Sequence, residues 1–176
     1  MTDIFVVGNN NDTETEHLIK EQLSENYAVT YIKNDSFTQI GQGYNLIFFD
    51  AENPVIEAKA GVLLMKEWGE IPDRLPKEIT AVINADNSAQ LEAVQKCGIR
   101  AVTCGSCSTS TISFSSETED TLMISLNRSI TALSGKIIQP LEIPAEKRGA
   151  ERYSLMSYMA LRLILDDFDS ELGRLI

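Results

Sequence analysis

Short apolar runs alternate along the chain with segments in which apolar residues recur at helical spacing. The runs are rich in β-branched and aromatic residues, a composition that favours buried strands. They lie at residues 4–7, 28–32, 46–49, 79–83 and 99–103. Strands that alternate with helices are typical of a parallel sheet whose faces are covered by helices. The pattern therefore predicts an α/β fold with three layers, in which a mostly parallel sheet is flanked by helices.

Pairs of residues spaced as at the start of a helix follow two of these predicted strands. Thr13 and Glu16 are spaced as in a capping box, and apolar residues at helical spacing come after them. Asn87 and Gln90 repeat the spacing before a segment that stops at Gly98, a typical helix end. A third, largely apolar helical segment lies near the end of the sequence. Helices are predicted at about residues 13–26, 87–98 and 150–168.

Two stretches do not fit simple alternation. The run at 61–65, Gly-Val-Leu-Leu-Met, is as consistent with a buried helix as with a buried strand, since periodicity cannot separate the two. Residues 106–119 are rich in Ser and Thr, and strand-like runs follow at 122–125 and 137–143. This second-half pattern predicts a small antiparallel β addition to the parallel sheet. No repeat or low-complexity linker interrupts the sequence, so we expect one domain spanning residues 1–176.

The charge of the chain argues against two classes of partner. It holds 15 Lys and Arg against 26 Asp and Glu, a formal net charge of −11 at pH 7. Nucleic acid and anionic membrane surfaces repel such a surface unless basic residues are clustered, and here they are scattered among acids. The sequence opens Met-Thr-Asp without a basic region, and its three cysteines are too few for a disulfide framework. We therefore expect a cytoplasmic protein that binds neither nucleic acid nor membrane.

Cysteine and histidine offer little chemistry in this sequence. Cys104 and Cys107 form a Cys-x-x-Cys motif at the end of a predicted strand, without the following helix that a redox pair requires. A zinc site would need a second pair, but only Cys97 and His17 remain, in other predicted elements. We interpret the motif as a turn and His17 as a surface residue, and we predict no catalytic residue, metal ligand or cofactor.

A family resemblance emerges when short matches are read in order. Residues 6–13, Val-Val-Gly-Asn-Asn-Asn-Asp-Thr, lie where the Mur ligase family carries its phosphate-binding loop, Gly-Thr-Asn-Gly-Lys-Thr. Residues 82–87, Val-Ile-Asn-Ala-Asp-Asn, are similar to that family's Asn-Ala-Asp-Asp stretch at a strand end. The β-rich segment up to 144 and the last helix follow in the same order. The chain thus resembles the family's central, ATP-binding domain alone, without its substrate-binding and C-terminal domains.

The resemblance implies a P-loop or Rossmann-like sheet with a ligand site at its strand ends. Carried over by position, the candidate ligand-binding residues are Gly8, Asn9, Asn10, Asn11, Asp12, Thr13, Asp50, Asn84 and Asp86. Asp50 and Glu52 also match the place of acids that the family uses for magnesium, but its modified lysine has no convincing counterpart in this sequence. Asn84 has a simpler interpretation as a turn former at the end of a strand.

The departures from the family pattern oppose phosphate binding. A phosphate loop works through free backbone N–H groups at a helix N-terminus and a lysine that adds positive charge. Here Asp12 stands at the lysine position and Asn11 replaces a glycine, while Glu14 and Glu16 occupy the first helical turn. The family's asparagines near the adenine also have no match in residues 149–155. We therefore expect a degenerate relative that has lost ATP-dependent ligation and binds a protein partner or small ligand, linked by family analogy to cell-wall precursor metabolism.

Two alternatives stay open. One is a small-molecule-binding protein or enzyme that uses the strand-end crevice of the sheet, with nucleotide binding still allowed. The other is a scaffold or homo-oligomer that presents an apolar patch, for which residues 137–143 or Leu175 and Ile176 are candidates.

Overall fold

One mixed sheet of ten strands runs through the part of the chain that the computed structural model describes, namely residues 1–147, 149–169 and 174–175. Side chains are described as far as residue 167. In chain order the elements are β1 (Thr2–Val7), α1 (Glu14–Gln22), β2 (Tyr27–Lys33), β3 (Ser36–Ile40), β4 (Tyr44–Ala51), β5 (Gly61–Met65), β6 (Ile79–Asn84), α2 (Ser88–Cys97), β7 (Arg100–Cys104), β8 (Ile112–Glu117), β9 (Thr121–Leu126), β10 (Ile130–Thr131), β11 (Ile137–Ile138), β12 (Leu141–Glu146), α3 (Arg152–Ile164), β13 (Phe168–Asp169) and β14 (Arg174–Leu175).

The strand order is β12-β9-β8-β7-β6-β5-β1-β4-β2-β3. Every neighbouring pair from β8 to β2 is parallel, whereas β3 pairs antiparallel with β2, and β9 pairs antiparallel with β8 and β12. The pairs β10–β11 and β13–β14 form two small separate ladders in the described residues. The predicted fold class, a mostly parallel sheet with an antiparallel addition in the second half, is confirmed.

Helices cover the two faces of the sheet unequally. On one face α1 and α3 pack on a large apolar core, and every residue from Tyr153 to Ile164 is buried. On the other face α2 covers a smaller core around β5 and β6. The three layers of the prediction are therefore present. No helix among the described residues is long and apolar enough to cross a membrane.

The run at residues 61–65 is a strand, β5, and lies between β1 and β6 at the centre of the sheet. Its residues Val62 to Met65 are fully buried because the strand is covered on both faces. This explains why it is apolar at successive positions instead of alternating. Its central position places the residue that follows it, Lys66, at the middle of the carboxyl edge of the sheet.

Other details of the sequence analysis differ from the structure. The edge strand β3 and strand β8 were not predicted, because the first is largely exposed and the second is rich in serine. The single strand expected at 137–143 is divided into β11 and β12. In that stretch Ile138 and Ile143 are buried and Ile137 is exposed, so the apolar patch expected there is not present as such. The side chains of Leu175 and Ile176 lie outside the described residues.

Candidate functional site

The loop between β1 and α1 holds the six residues that the sequence places at a phosphate-binding position. Gly8 begins it with a φ of +145°, and a Cβ atom there would lie 2.6 Å from the Cβ of Lys66. Glycine is required at this point because no side chain fits between the loop and the end of β5. The main chain of the loop therefore packs closely against Lys66.

Two backbone N–H groups of this loop, and the first N–H group of α1, donate to acceptors within the loop. Asp12 N donates to Asn9 O at 3.0 Å, and Asn11 N donates to Asn9 Oδ1 at 2.8 Å. Glu14 N, in the first turn of α1, donates to Asp12 Oδ1 at 3.3 Å. These three N–H groups are the kind that would face an anion in a phosphate loop, and here each has an internal partner.

The expected capping box at the start of α1 is wrong. The side chain of Thr13 makes no cap hydrogen bond, and Asp12 supplies the capping oxygen instead. Glu16 pairs with Lys20 at 2.6 Å and with Lys33 at 2.8 Å, and these two lysines lower its pKa against the opposing effect of burial. The side chain of Asn10 contacts the turn between β2 and β3, where its Nδ2 donates to Asn34 Oδ1 at 3.5 Å.

A buried ion pair lies directly beneath the loop. Lys66 Nζ is 2.9 Å from Asp50 Oδ1, donates to Asp50 Oδ2 at 3.1 Å, and donates to Asn9 O at 3.1 Å. Lys66 is 1% exposed and the Asp50 side chain is fully buried. Tyr31 OH donates to the same carboxylate at 2.8 Å, and burial followed by the charge of Asp50 raises the pKa of Tyr31.

Sequence reasoning missed Lys66. The residue follows an apolar run whose strand character could not be established, so its position at the sheet edge was not visible. The available clue is a lysine directly after a run of buried residues. Asp50, a candidate ligand-binding residue, is engaged in this pair and lies below the surface of the loop.

Asn84 and Asp86, the other two candidates, organise the edge after β6. Asn84 Oδ1 accepts a hydrogen bond from Asp86 N at 2.9 Å, so Asn84 does act as a turn former. Asp86 Oδ2 accepts from Ser106 N at 2.9 Å, and its Oδ1 accepts from Ser106 Oγ at 3.1 Å. Asp86 therefore holds the turn that carries the Cys-x-x-Cys motif.

The two motif cysteines lie in opposite environments. Cys104 is buried at the end of β7, and burial raises the pKa of its thiol. Cys107 is exposed, and a hydrogen bond that Thr109 Oγ1 donates to its sulfur at 3.2 Å lowers the pKa of that thiol. Both are free thiols. His17 is exposed and pairs with Glu21 on the surface of α1, as expected.

Gln90 connects the end of β5 with the end of β6. Its Oε1 accepts from Asn84 N at 2.8 Å, and its Nε2 donates to the carbonyls of Lys66, Glu67 and Gly69 at 2.9 to 3.2 Å. The cap of α2 is formed by Asn87 alone, with Gly98 ending the helix in the left-handed conformation. Gln90 was expected to close a capping box, but it fixes the β5–β6 connection instead.

A cleft of about 590 Å³ opens at the same edge, between the ends of β5 to β8 and the first turn of α3. Ligand sites of α/β sheets lie at this edge, and the volume is in the usual range for small ligands. Its carboxylates, basic groups and apolar side chains are Glu67, Asp86, Glu117, Glu119, Glu151, Lys147, Arg152, Phe114, Tyr153 and Met156. Asn84 also lines it, whereas Asp50 and the loop from Gly8 to Thr13 do not.

Contacts at the start of α3 shape the cleft. Tyr153 OH donates to Met65 O at 2.7 Å, which ties the first turn of α3 to the end of β5. Glu151 N donates to Glu14 Oε2 at 3.1 Å, so the first turn of α1 supplies an acceptor to the start of α3. Together these bonds attach the start of α3 to β5 and to α1.

The ion pairs of the cleft centre on Glu117. Lys147 lies 2.6 Å from Glu117 Oε1, and Arg152 Nε donates to Glu117 Oε2 at 2.8 Å, so these two bases lower the pKa of Glu117. Arg152 also lies 4.8 Å from the ring centroid of Phe114. On the other side burial raises the pKa of Glu67, and the charge of Glu151 raises it further.

Within residues 1–147 and 149–167, no three His, Cys, Asp or Glu side chains come together in a way that could hold a metal ion.

Comparison with solved structures identifies the class of fold. The chain is similar to a structure of UDP-N-acetylmuramoyl-L-alanyl-D-glutamate–2,6-diaminopimelate ligase, with a TM-score of 0.50 and 11% sequence identity. The match covers 96% of this chain and 44% of the ligase chain, so the chain spans less than half the length of that enzyme. The fold is therefore Mur-ligase-like. No model of a protein family matches the chain, and no curated protein does.

Proposed function

We propose that this chain is a Mur-ligase-like domain that has lost ATP-dependent ligation and acts by binding, with the strand-end cleft as its site for a small ligand. The likeness to the ligase supports the fold part of this proposal. A connection with cell-wall precursor metabolism rests on that likeness alone.

The loop between β1 and α1 is the observation that carries the proposal. The N–H groups of Asn11, Asp12 and Glu14 already have acceptors within the loop. A triphosphate would have to break these bonds and approach the carboxylates of Asp12 and Glu14. Binding of an anion at a helix N-terminus requires the opposite: free donors and positive charge.

The buried lysine does not restore that charge. Lys66 contacts the loop, but its ammonium group is paired with Asp50 and bonded to Asn9 O. A charge that is neutralised and buried contributes little attraction to a phosphate above the loop. The pair instead holds the main chain of the loop at Asn9.

Thermal unfolding in the presence of ATP and magnesium tests this proposal. A nucleotide present at 100 times its Kd would stabilise the fold by about 2.7 kcal/mol, which corresponds to a rise in Tm of roughly 5–10 °C for a chain of this size. We expect no saturable rise up to millimolar ATP. A saturable rise would overturn the loss of nucleotide binding.

A matched variant checks that the loop is the cause. Asp12→Lys restores the charge found at this position in the family, while Glu92→Lys makes the same charge change on the exposed surface of α2. If loop chemistry limits binding, ATP stabilises the Asp12→Lys protein more than the Glu92→Lys protein. Equal responses of the two variants would show that only the net charge matters.

A further inference from the structure

Strand β3 forms one edge of the sheet, and its outer side is unpaired in the described part of the chain. Lys33 of β2 pairs with Ser36 of β3 across a two-residue turn, so these two residues exchange both backbone hydrogen bonds. Because hydrogen-bonded residues alternate along an antiparallel pair, the backbone groups of Thr38 also face β2. Those of Phe37 and Gln39 face outward and have no partner among the described residues.

The two edges of the sheet differ in the features that prevent the addition of another strand. The opposite edge, β12, carries the exposed residues Glu142, Pro144 and Glu146. Charged residues and proline at such positions block edge pairing. Strand β3 has the sequence Ser-Phe-Thr-Gln-Ile, without charge or proline, although charged residues make up 23% of the chain. One edge is therefore protected and the other is not.

An apolar row leads across the sheet to the unprotected edge. The register aligns one apolar residue from each of four neighbouring strands, on the face away from α1 and α3: Phe5, Phe49, Ile32 and Phe37. Phe5 packs against the smaller core, which contains no residue of β4, β2 or β3. Exposure rises toward the edge, from 37% at Phe49 to 66% at Phe37. The most exposed ring of the row thus lies on β3.

We propose that β3 pairs antiparallel with β3 of a second copy of this chain, about a two-fold axis at Thr38. With the axis there, the outward backbone groups of Phe37 lie opposite those of Gln39 in the second copy, and symmetry repeats the pair. The outward groups of both residues are then hydrogen-bonded. Paired residues share a face of the sheet, so the Phe37 side chain also lies within reach of its symmetry mate.

Charge favours a second copy over a foreign peptide as the occupant of this edge. A protein with a net charge of −11 associates with itself most readily where carboxylates do not face one another. In the proposed register β3 meets β3, and the strand carries no charge. A basic peptide is the foreign partner best attracted to an acidic protein, but it would find no carboxylate on this strand.

Sedimentation velocity of the full chain tests the pairing. A five-residue edge strand provides a small interface, so we expect a reversible equilibrium between monomer and dimer at micromolar concentrations. The salt concentration is about 0.15 M, which screens charges farther apart than about 8 Å. The pairing uses the β3 edge of both copies, so association stops at the dimer.

Hydrogen exchange observed by NMR gives a second readout at single residues. The N–H groups of Phe37 and Gln39 face solvent in the monomer, and we expect their protection to increase with protein concentration. The N–H group of Thr38 faces β2 and is protected at every concentration. An alternating response along one strand distinguishes edge pairing from a contact made through side chains alone.

Two variants interrupt the edge without removing a backbone bond to β2. Gln39→Pro deletes an outward N–H group, a change that edge strands tolerate, and we expect no dimer. Thr38→Lys places two ammonium groups opposite each other across the axis, and we expect Kd to rise by about tenfold or more. Thr131→Lys adds the same charge at an exposed position of β10 and leaves Kd unchanged. Thermal unfolding shows whether each variant is folded.

Each other result overturns the proposal. A chain that stays monomeric up to about 1 mM has no such interface, and assemblies that grow beyond a dimer contradict the two-fold pairing. An unchanged Kd in folded Gln39→Pro places the contact elsewhere. If Gln39→Pro does not fold, equal Kd values for Thr38→Lys and Thr131→Lys have the same consequence. The edge lies apart from the strand-end cleft and none of these results depends on ATP, so this proposal and the loss of nucleotide binding fail separately.

Discussion

Lys66 Nζ lies 2.9 Å from Asp50 Oδ1, and both side chains are buried beneath the loop that follows β1. Asp50 is the penultimate residue of β4 and Lys66 follows β5, and these are the two strands that flank β1 in the sheet. Since Lys66 also donates to Asn9 O, the pair joins the carboxyl ends of three neighbouring strands. A contact of this kind fixes loop geometry, and breaking one half of it leaves a buried charge without a partner.

Substitution of Lys66 by methionine is expected to destabilise the fold strongly. The buried Asp50 carboxylate would lose its nearest counterion and keep only Lys33, whose Nζ lies 3.7 Å from Asp50 Oδ2. We therefore expect a loss of about 3 kcal/mol of unfolding free energy, the lower end of the range for a broken buried pair. The double variant Lys66→Met with Asp50→Leu should recover most of this loss, because no charge is then buried. Urea denaturation at pH 7 measures both. Lys20→Met, which removes a partly exposed pair, serves as control with a loss below about 1 kcal/mol.

The start of α1 offers a test of which residue caps it. Asp12 accepts from Glu14 N, whereas Thr13 makes no cap bond. We expect Asp12→Ala to lower the unfolding free energy by about 1 kcal/mol and Thr13→Ala to change it by a few tenths. Chemical denaturation of the two variants under identical conditions decides the matter. The reverse order would restore Thr13 as the cap.

Glu67 makes stability depend on pH in a defined direction. Burial and neighbouring acids raise its pKa in the folded chain above the ordinary value of 4.5. The folded state therefore binds the proton more tightly, and this contribution is full below the ordinary pKa and is lost as pH rises through the raised value. Glu67→Gln, a neutral analogue of the protonated acid, should raise Tm relative to wild type more at pH 7 than at pH 4.

The control for this pH effect is Glu92→Gln. Residue 92 is exposed on α2 and does not line the cleft. We compare the difference in Tm from wild type for both variants across the pH range. If Glu92→Gln shows the same pH dependence as Glu67→Gln, the effect comes from total charge.

Thiol reactivity should separate the two cysteines of the motif. Cys107 is exposed with a lowered pKa, and Cys104 is buried with a raised pKa. Because the thiolate is the reactive form, iodoacetamide at pH 7 should alkylate Cys107 well before Cys104. Mass spectrometry of peptides from a time course measures both rates, and labelling in urea shows whether Cys104 becomes accessible on unfolding. Equal rates in the folded chain would contradict the buried position of Cys104.

Helices and strands whose formation depends on residues close in sequence could be predicted. Helix α2 is set by Asn87 at its start and Gly98 at its end, and both act where the sequence indicates. The predicted strands are apolar because the interior of a parallel sheet is covered on both faces. Edge strand β3 escaped prediction because an exposed strand need not carry an apolar pattern, and its hairpin with β2 depends on pairing.

The amino-acid sequence by itself determined the fold class, the acidic surface and the reversal of charge at Asp12, because each follows from composition or from local spacing. Only the tertiary structure determined which residues meet at the candidate site. Asp50 meets Lys66 across 16 positions of sequence, and Arg152 meets Glu117 across 35. Such contacts depend on strand order and on where α3 begins, since residues distant in sequence become neighbours only when parallel strands end at the same edge of the sheet.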